Sequence, residues 1–136
     1  MPVLTTDRPS PHGSAVLQEL SPLHRDLRRA VPDVYAGFRE LHQAAFAAGA
    51  LDTRTKELIA LAIGVVEGCD GCIASHAEAA ARAGATRQEA AEAIGVTFLM
   101  KGGPATIYGP RAYDAFCEFE AIESARREPT AQPVEA

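Results

Sequence analysis

The stretch from Leu58 to Val66 constrains the fold of this chain more than any other segment. Its nine residues are all apolar or glycine, so a helix built from them is apolar nearly all the way round. A helix that faces solvent keeps a polar side, and this helix must therefore lie at the centre of the protein. The segment has about half of the ~20 residues that a membrane span needs, so it indicates a buried core helix.

The length of the chain limits how that helix can be covered. With 136 residues the chain has room for one ordinary domain. Neighbours from one small domain rarely enclose a helix on every side. We therefore expect a second copy of the chain to cover part of the central helix in a homo-oligomer.

Helix start and stop signals recur along the chain, and no segment has a strand pattern long enough to predict a β-strand. Predicted helices begin at Ser14, at Ser21 with Pro22, at Pro32, at Asp52 or Thr53, at Cys69 or Asp70, at Thr86 with Glu89 as a capping box, and at Pro104. Predicted ends lie at Gly49, Gly68, Gly84 and Gly102. Aromatic residues make up only 6% of the chain, and the remaining apolar residues are mostly small or aliphatic, which suits closely packed helices. The prediction is an all-α protein.

One domain is predicted over residues 14–125, between two tails. Prolines and Gly13 interrupt any periodicity in residues 1–13, and residues 126–136 are polar and contain two more prolines. Both tails are predicted to be disordered and to carry no chemistry.

Charge and targeting signals exclude several classes of function. The formal net charge of −5 argues against a nucleic-acid partner, which would require a surplus of basic residues. Residues 1–14 lack the basic start and apolar middle of a secretory signal. We expect a cytoplasmic protein that binds neither membranes nor nucleic acid. In a reducing compartment a close cysteine pair points to metal or redox chemistry.

Cys69 and Cys72 form a Cys-x-x-Cys motif at the start of a predicted helix. Unpaired backbone N–H groups and the positive end of the helix dipole favour a thiolate there. The two thiols can also close a local disulfide without a large movement of the backbone. The third cysteine, Cys117, lies between aromatic residues in a helical pattern and is predicted to be a buried, inert thiol.

His76 and Glu57 are the candidates to move the thiol proton. His76 follows Cys72 by four residues, so both side chains share one helix face about a turn apart. If the chain reverses near Gly68, Glu57 lies roughly 16 Å from the turn and His76 roughly 12 Å, at about 1.5 Å per residue. A carboxylate among apolar residues needs a partner, and His76 can provide one directly or through a water molecule. We predict a proton relay from Cys72 through His76 to Glu57.

Zinc is the alternative for the same residues. Cys69, Cys72 and His76 offer three ligands, with Glu57 or water as the fourth. We favour a site without metal, because the chain has no second cysteine pair and its other histidines lie far off in the sequence. These are His12, His24 and His42.

The spacing of Glu57, Cys69-x-x-Cys72 and His76 resembles the signature of the alkyl hydroperoxidase D-like branch of the carboxymuconolactone decarboxylase superfamily. The similarity runs from about residue 51 to residue 119. It includes the stretch EGCDGCIASH at 67–76 and the stretch MKGGP at 100–104. Several residues of different chemistry agree in both identity and spacing, so the resemblance is specific.

The resemblance implies an alkyl hydroperoxidase D-like helical bundle around a central helical hairpin, assembled as a homotrimer or homohexamer without a bound cofactor. It also implies an enzyme, a thiol peroxidase. In that reaction Cys72 attacks a hydroperoxide and becomes a sulfenic acid, Cys69 resolves it into a disulfide, and Glu57 and His76 move the proton. A dihydrolipoyl protein or a thioredoxin-like dithiol would then reduce the disulfide.

One position departs from the pattern of the family. Members that act as peroxidases carry a further histidine immediately before the second cysteine, where this chain has Gly71. The departure weakens the case for peroxide as the natural substrate more than it weakens the case for thiol chemistry.

Two rival functions remain open on the same fold. The first is decarboxylation of a muconolactone-like acid, or another lyase or hydrolase reaction. That branch of the superfamily does not rely on a cysteine pair, so the presence of Cys69 and Cys72 favours redox chemistry. A non-catalytic oligomer could use the disulfide as a sensor. Such a protein would oxidise once with peroxide and show no sustained turnover.

Overall fold

The computed structural model describes residues 9–128, which form six α-helices with no strand among them. The helices are α1 (Ser14–Ala30), α2 (Pro32–Phe46), α3 (Thr53–Glu67), α4 (Asp70–Arg82), α5 (Arg87–Lys101) and α6 (Ala105–Arg127). The prediction of an all-α fold is confirmed.

The hairpin of α3 and α4 forms the centre of the bundle. Gly68 ends α3 with φ of 63°, a left-handed conformation that favours glycine. A side chain at this position would also meet the ring of Tyr108, whose nearest atoms lie 3.2 Å from where a Cβ would be. Asp70 then begins α4 with Cys69 as its N-cap residue. The tight reversal predicted near Gly68 is therefore present.

Helices α5 and α6 cover one side of the hairpin. Helix α4 packs against α6 and α3 against α5, and the buried face of α4 is rich in alanine, which lets the helix backbones approach closely. Phe116 of α6 is the largest fully buried side chain of the core. The shared core contains Leu61, Val65, Ile73, Ala77, Ala80, Ala90, Ile94, Ala112 and Phe116.

The other flank of α3 is open in the single chain. Leu61 and Val65 are fully buried, whereas Ile59 is 45% and Ile63 56% exposed. The chain by itself thus covers only part of the apolar helix that the sequence places at the centre. None of the helices of residues 9–128 is long and apolar enough to cross a membrane.

Helices α1 and α2 form an outer hairpin. Every residue from 21 to 34 is exposed, and α2 contains no fully buried residue. The hairpin therefore rests on the rest of the bundle through few side chains.

The predicted helix start at Ser21 and Pro22 is wrong, because α1 runs through both residues without a break. A proline inside a helix removes one backbone N–H donor and leaves a carbonyl in the preceding turn without its partner. Here that carbonyl belongs to Gln18, an exposed residue, so water can satisfy it. The end of α2 at Phe46 also precedes the predicted stop at Gly49.

A buried carboxylate holds the start of α1. Oε1 of Glu118 accepts a hydrogen bond from the Ser14 N–H at 2.6 Å, and Oε2 accepts one from the Ser14 hydroxyl at 2.7 Å. Oε2 also accepts a hydrogen bond from the Ser10 N–H at 2.9 Å. The Ser14 N–H is a donor at the helix start that lacks an intrahelical partner, and the Ser10 bond ties the preceding segment to α6. The predicted tails 1–13 and 126–136 are too long at their inner ends, because Ser10 is buried and bonded to Glu118 and α6 continues to Arg127. Residues 1–8 and 129–136 lie outside the described part, so the disorder predicted for them stays a prediction.

Candidate functional site

Cys69 and Cys72 are joined by a disulfide at the N-terminus of α4, with their Cα atoms 5.2 Å apart. The Sγ atom of Cys69 accepts a hydrogen bond from the Cys72 N–H at 3.2 Å. Cys72 is exposed, whereas Cys69 is partly buried. A reagent from solvent therefore reaches the second cysteine more easily than the first.

Gly64 allows α3 to pass close to this cysteine pair. A Cβ on Gly64 would lie 3.4 Å from Cβ of Cys72 and 3.3 Å from the backbone nitrogen of Ile73. A larger residue on α3 would push the two helices apart at the first turn of α4. The glycine thus brings the polar residues of α3 within reach of α4.

Glu57 of α3 and His76 of α4 form a hydrogen-bonded pair below the disulfide. Nδ1 of His76 lies 2.7 Å from Oε2 of Glu57. The Glu57 side chain is only 4% exposed and that of His76 is 18% exposed. A carboxylate accepts hydrogen bonds, so Nδ1–H donates and Nε2 of the neutral ring is left as the basic nitrogen. The contact predicted across the hairpin is confirmed, while the catalytic role of the two residues stays a prediction.

A third residue, His42 of α2, joins this pair. The His42 ring lies parallel to the His76 ring, with centroids 6.2 Å apart. Phe46, one turn further along α2, stacks on both, with centroids 4.6 Å from His42 and 5.4 Å from His76. Ligand atoms of His42, Glu57 and His76 lie within 4.8 Å of one another.

Sequence reasoning missed His42 because it lies far from the motif along the chain. The signal available was weak: His42 and Phe46 are four residues apart and so share one face of α2. Both are partly buried on a helix that is otherwise largely exposed. By contrast, the ring of His24 is hydrogen-bonded to the Tyr35 hydroxyl at 2.9 Å in the outer hairpin.

The connection between α2 and α3 is fixed beside the site. The Thr53 hydroxyl donates a hydrogen bond to the carbonyl of Phe46 at 2.9 Å, and Nζ of Lys56 donates one to the carbonyl of Ala47 at 2.6 Å. Both bonds satisfy carbonyls at the end of α2. They hold the end of α2, and with it Phe46, against the start of α3.

Gly71 stands directly beside α1. A Cβ on Gly71 would lie 3.1 Å from Cδ1 of Leu20, which is closer than an ordinary van der Waals contact. A histidine here would therefore require Leu20 to move. In this chain Leu20 of α1 therefore occupies space that a side chain at residue 71 would enter.

Cys117 is buried in α6, as predicted, and is 1% exposed. Burial raises the pKa of its thiol above the ordinary value, with a smaller opposing effect from the positive charge of Arg87. The thiol is therefore protonated at neutral pH and has low reactivity.

Comparisons with known proteins agree on one family. The model of the carboxymuconolactone decarboxylase family matches residues 32–121. A protein of the cox locus of Paracoccus denitrificans is 38% identical over 110 residues, covering 81% of this chain and 93% of that protein.

Solved structures of the same family share the fold. A family member from Legionella pneumophila, in its apo form, superposes with a TM-score of 0.78 at 39% identity, covering 82% of this chain and 99% of that one. A family member from Thermotoga maritima, described as a candidate for an antioxidative response, superposes with a TM-score of 0.69 at 25% identity, covering 84% and 97%.

Proposed function

The chain belongs to the carboxymuconolactone decarboxylase family, and on this premise we propose that it is a thiol-dependent peroxidase that reduces organic hydroperoxides through Cys69 and Cys72. One observation carries the proposal. A disulfide lies one helical turn from an imidazole whose Nδ1 is hydrogen-bonded to a buried carboxylate. The antioxidative role suggested for the Thermotoga maritima relative also supports it.

In the first step, the reduced Cys72 thiol gives its proton to His76, and the thiolate attacks a peroxide oxygen. The O–O bond breaks, and the alkoxide leaves as an alcohol with the proton that His76 returns. Cys72 is now a sulfenic acid, and the peroxide has gained two electrons. The carboxylate of Glu57 stabilises the imidazolium that forms between the two proton transfers.

In the second step, the sulfur of Cys69 attacks the sulfur of Cys72. The S–S bond forms, and the hydroxyl of the sulfenic acid leaves as water with the proton of Cys69. The greater exposure of Cys72 supports its role as the attacking residue, and the lower exposure of Cys69 supports its role as the resolving residue.

A dithiol must then reduce the disulfide, because the chain has no further cysteine near the pair to do so. In residues 9–128 the third cysteine, Cys117, is buried in α6. We propose a dihydrolipoyl protein or a thioredoxin-like protein as reductant, in the cytoplasm, where such dithiols are kept reduced.

We also propose that the chain works as a homotrimer or homohexamer. The exposed flank of α3, with Ile59 and Ile63, supports this, as do the apolar residues of the outer hairpin. Leu23, Leu27, Val34, Phe38 and Leu41 are each more than half exposed in the single chain. A monomeric mass in light scattering would contradict the oligomer and leave the redox proposal standing.

The test is a coupled assay of the purified protein against several organic hydroperoxides, with dihydrolipoamide and thioredoxin compared as reductants. The proposal predicts many turnovers per chain with at least one of the two reductants. A single oxidation without sustained consumption would instead indicate a redox sensor. Conversion of a lactone acid at equal rates in wild type and a variant lacking both cysteines would indicate the lyase.

A further inference from the structure

We propose that His42, Glu57 and His76 form a binding site for a divalent transition-metal ion, specifically Zn²⁺. The three residues come from three different helices, α2, α3 and α4, and each offers one ligand atom. These atoms all lie within 4.8 Å of one another. This set differs from the Cys69, Cys72 and His76 set considered from the sequence, because it contains no thiol.

The ligand types suit zinc. Two imidazoles and one carboxylate, with water in the fourth position, form a common set of ligands in zinc sites that keep an open position. Four-coordinate Zn²⁺ is almost always tetrahedral, an arrangement that side chains from separate helices can provide. The single carboxylate also offsets part of the charge of the ion.

Two of the three ligands are already held in place. Glu57 is buried and bonded to His76 at 2.7 Å, which is near the separation of two ligand atoms on one ion. Ligand atoms at about 2.0–2.2 Å from a tetrahedral ion lie roughly 3.3 Å apart. A small outward movement of this pair would admit the ion between the two atoms.

His42 supplies the adjustable ligand. A pair of atoms as far apart as 4.8 Å must close by roughly 1.5 Å to reach tetrahedral spacing. No residue of α2 is fully buried, so a shift of this size disturbs little of the core. The Phe46 ring packs against both imidazoles, so the two histidines share one apolar neighbour.

The proposed metal site shares Glu57 and His76 with the proposed proton relay, so a bound ion would replace the hydrogen bond between them. Its test, however, does not depend on the redox proposal. In the oxidised protein both sulfurs of Cys69 and Cys72 are in the disulfide and cannot act as thiolate ligands. Zinc bound to this form must therefore use other residues. The test can thus be made without peroxide, dithiol or turnover.

The experiment measures Zn²⁺ binding to the full-length oxidised protein after removal of metal with a chelator and then removal of the chelator. Equilibrium dialysis with zinc chloride, followed by metal analysis, gives the stoichiometry and the affinity. Co²⁺ serves as a second probe, because its visible absorption reports tetrahedral nitrogen and oxygen ligands. We expect one tight equivalent per chain.

The variants His42→Gln and Glu57→Gln are each expected to weaken Zn²⁺ binding by about tenfold or more. The matched control is His24→Gln, the same substitution at a histidine bonded to Tyr35 in the outer hairpin, and it is expected to bind like wild type. Circular dichroism checks that each variant is folded, and Glu57→Gln keeps a carbonyl oxygen to accept from His76.

Three results would overturn the metal site: no stoichiometric binding to the oxidised wild type, wild-type affinity in folded His42→Gln, or an equal loss in His24→Gln. Failure of the peroxidase assay would have no bearing on these results. Failure of zinc binding would equally leave the thiol chemistry untouched.

Discussion

Nδ1 of His76 lies 2.7 Å from Oε2 of Glu57 across the α3–α4 hairpin, although the two residues are 19 positions apart in the chain. His76 lies about one helical turn beyond Cys72 on α4. The pair explains how a carboxylate can be buried on an otherwise apolar helix, since the imidazole satisfies one of its oxygens. It also leaves the second ring nitrogen of His76 available for proton transfer.

Replacing either cysteine of the motif should separate their roles. We expect Cys72→Ser to lower dithiol-dependent peroxide consumption to the uncatalysed rate. Cys69→Ser should also stop turnover but leave a sulfenic acid on Cys72, which a dimedone-type probe and mass spectrometry would detect. Cys117→Ala is the matched control and should retain activity. Equal activity in the wild type and both motif variants would defeat the assignment.

Removing the relay should slow the reaction of the reduced thiols. We expect His76→Gln and Glu57→Gln to lower the rate of Cys72 alkylation near neutral pH by about tenfold, because the base is lost or loses its carboxylate partner. The measurement is the rate of iodoacetamide labelling of Cys72 across pH, with His24→Gln as control. Alkylation profiles that match wild type would remove both residues from the relay.

The buried thiol of Cys117 should not react with thiol reagents in the native protein. Burial raises its pKa above the ordinary value, so the thiolate fraction is small at neutral pH and grows only as the pH rises towards the shifted pKa. In the oxidised protein at pH 7–8, we expect no thiol to react with a disulfide reagent until denaturant is added, when one thiol per chain reacts. Rapid labelling of the folded protein would show that α6 opens.

The buried carboxylate of Glu118 should contribute more to the free energy of unfolding than an exposed carboxylate does. Glu118→Ala leaves the N–H groups of Ser10 and Ser14 without their acceptor. We expect a loss of about 2–3 kcal/mol in the free energy of unfolding, because buried donors without a partner are costly. Urea denaturation provides the measurement, and Glu92→Ala on the exposed side of α5 is the control. A loss no larger than in the control would show that α1 is held by other contacts.

The inner helices could be predicted from local signals. The side chain of Asp52 accepts a hydrogen bond from the Thr55 N–H, and Thr86 with Glu89 forms the capping box that the sequence predicts. Gly68 reverses the chain where expected, so the meeting of Glu57 and His76 also followed from helix geometry. These features depend on residues close together in the sequence.

The outer hairpin could not be predicted in the same way. Pro22 is a local signal for a helix start, but the exposure of α1 lets the helix continue through it. The start of α1 is stabilised by Glu118, a residue 104 positions away from Ser14, which no local pattern reveals. The approach of His42 to His76 likewise depends on how α2 packs, and that packing is set by long-range contacts.

The most direct test of the account is a single-turnover measurement. Fully reduced protein receives one equivalent of an organic hydroperoxide without added dithiol, and rapid quenching with mass spectrometry follows both the protein and the peroxide. We expect one alcohol molecule per chain and a Cys69–Cys72 disulfide that forms at the same time. Both should form faster than a free dithiol in solution reacts with the same hydroperoxide. Oxidation no faster than the free dithiol, or alcohol formed while both thiols stay reduced, would contradict the account.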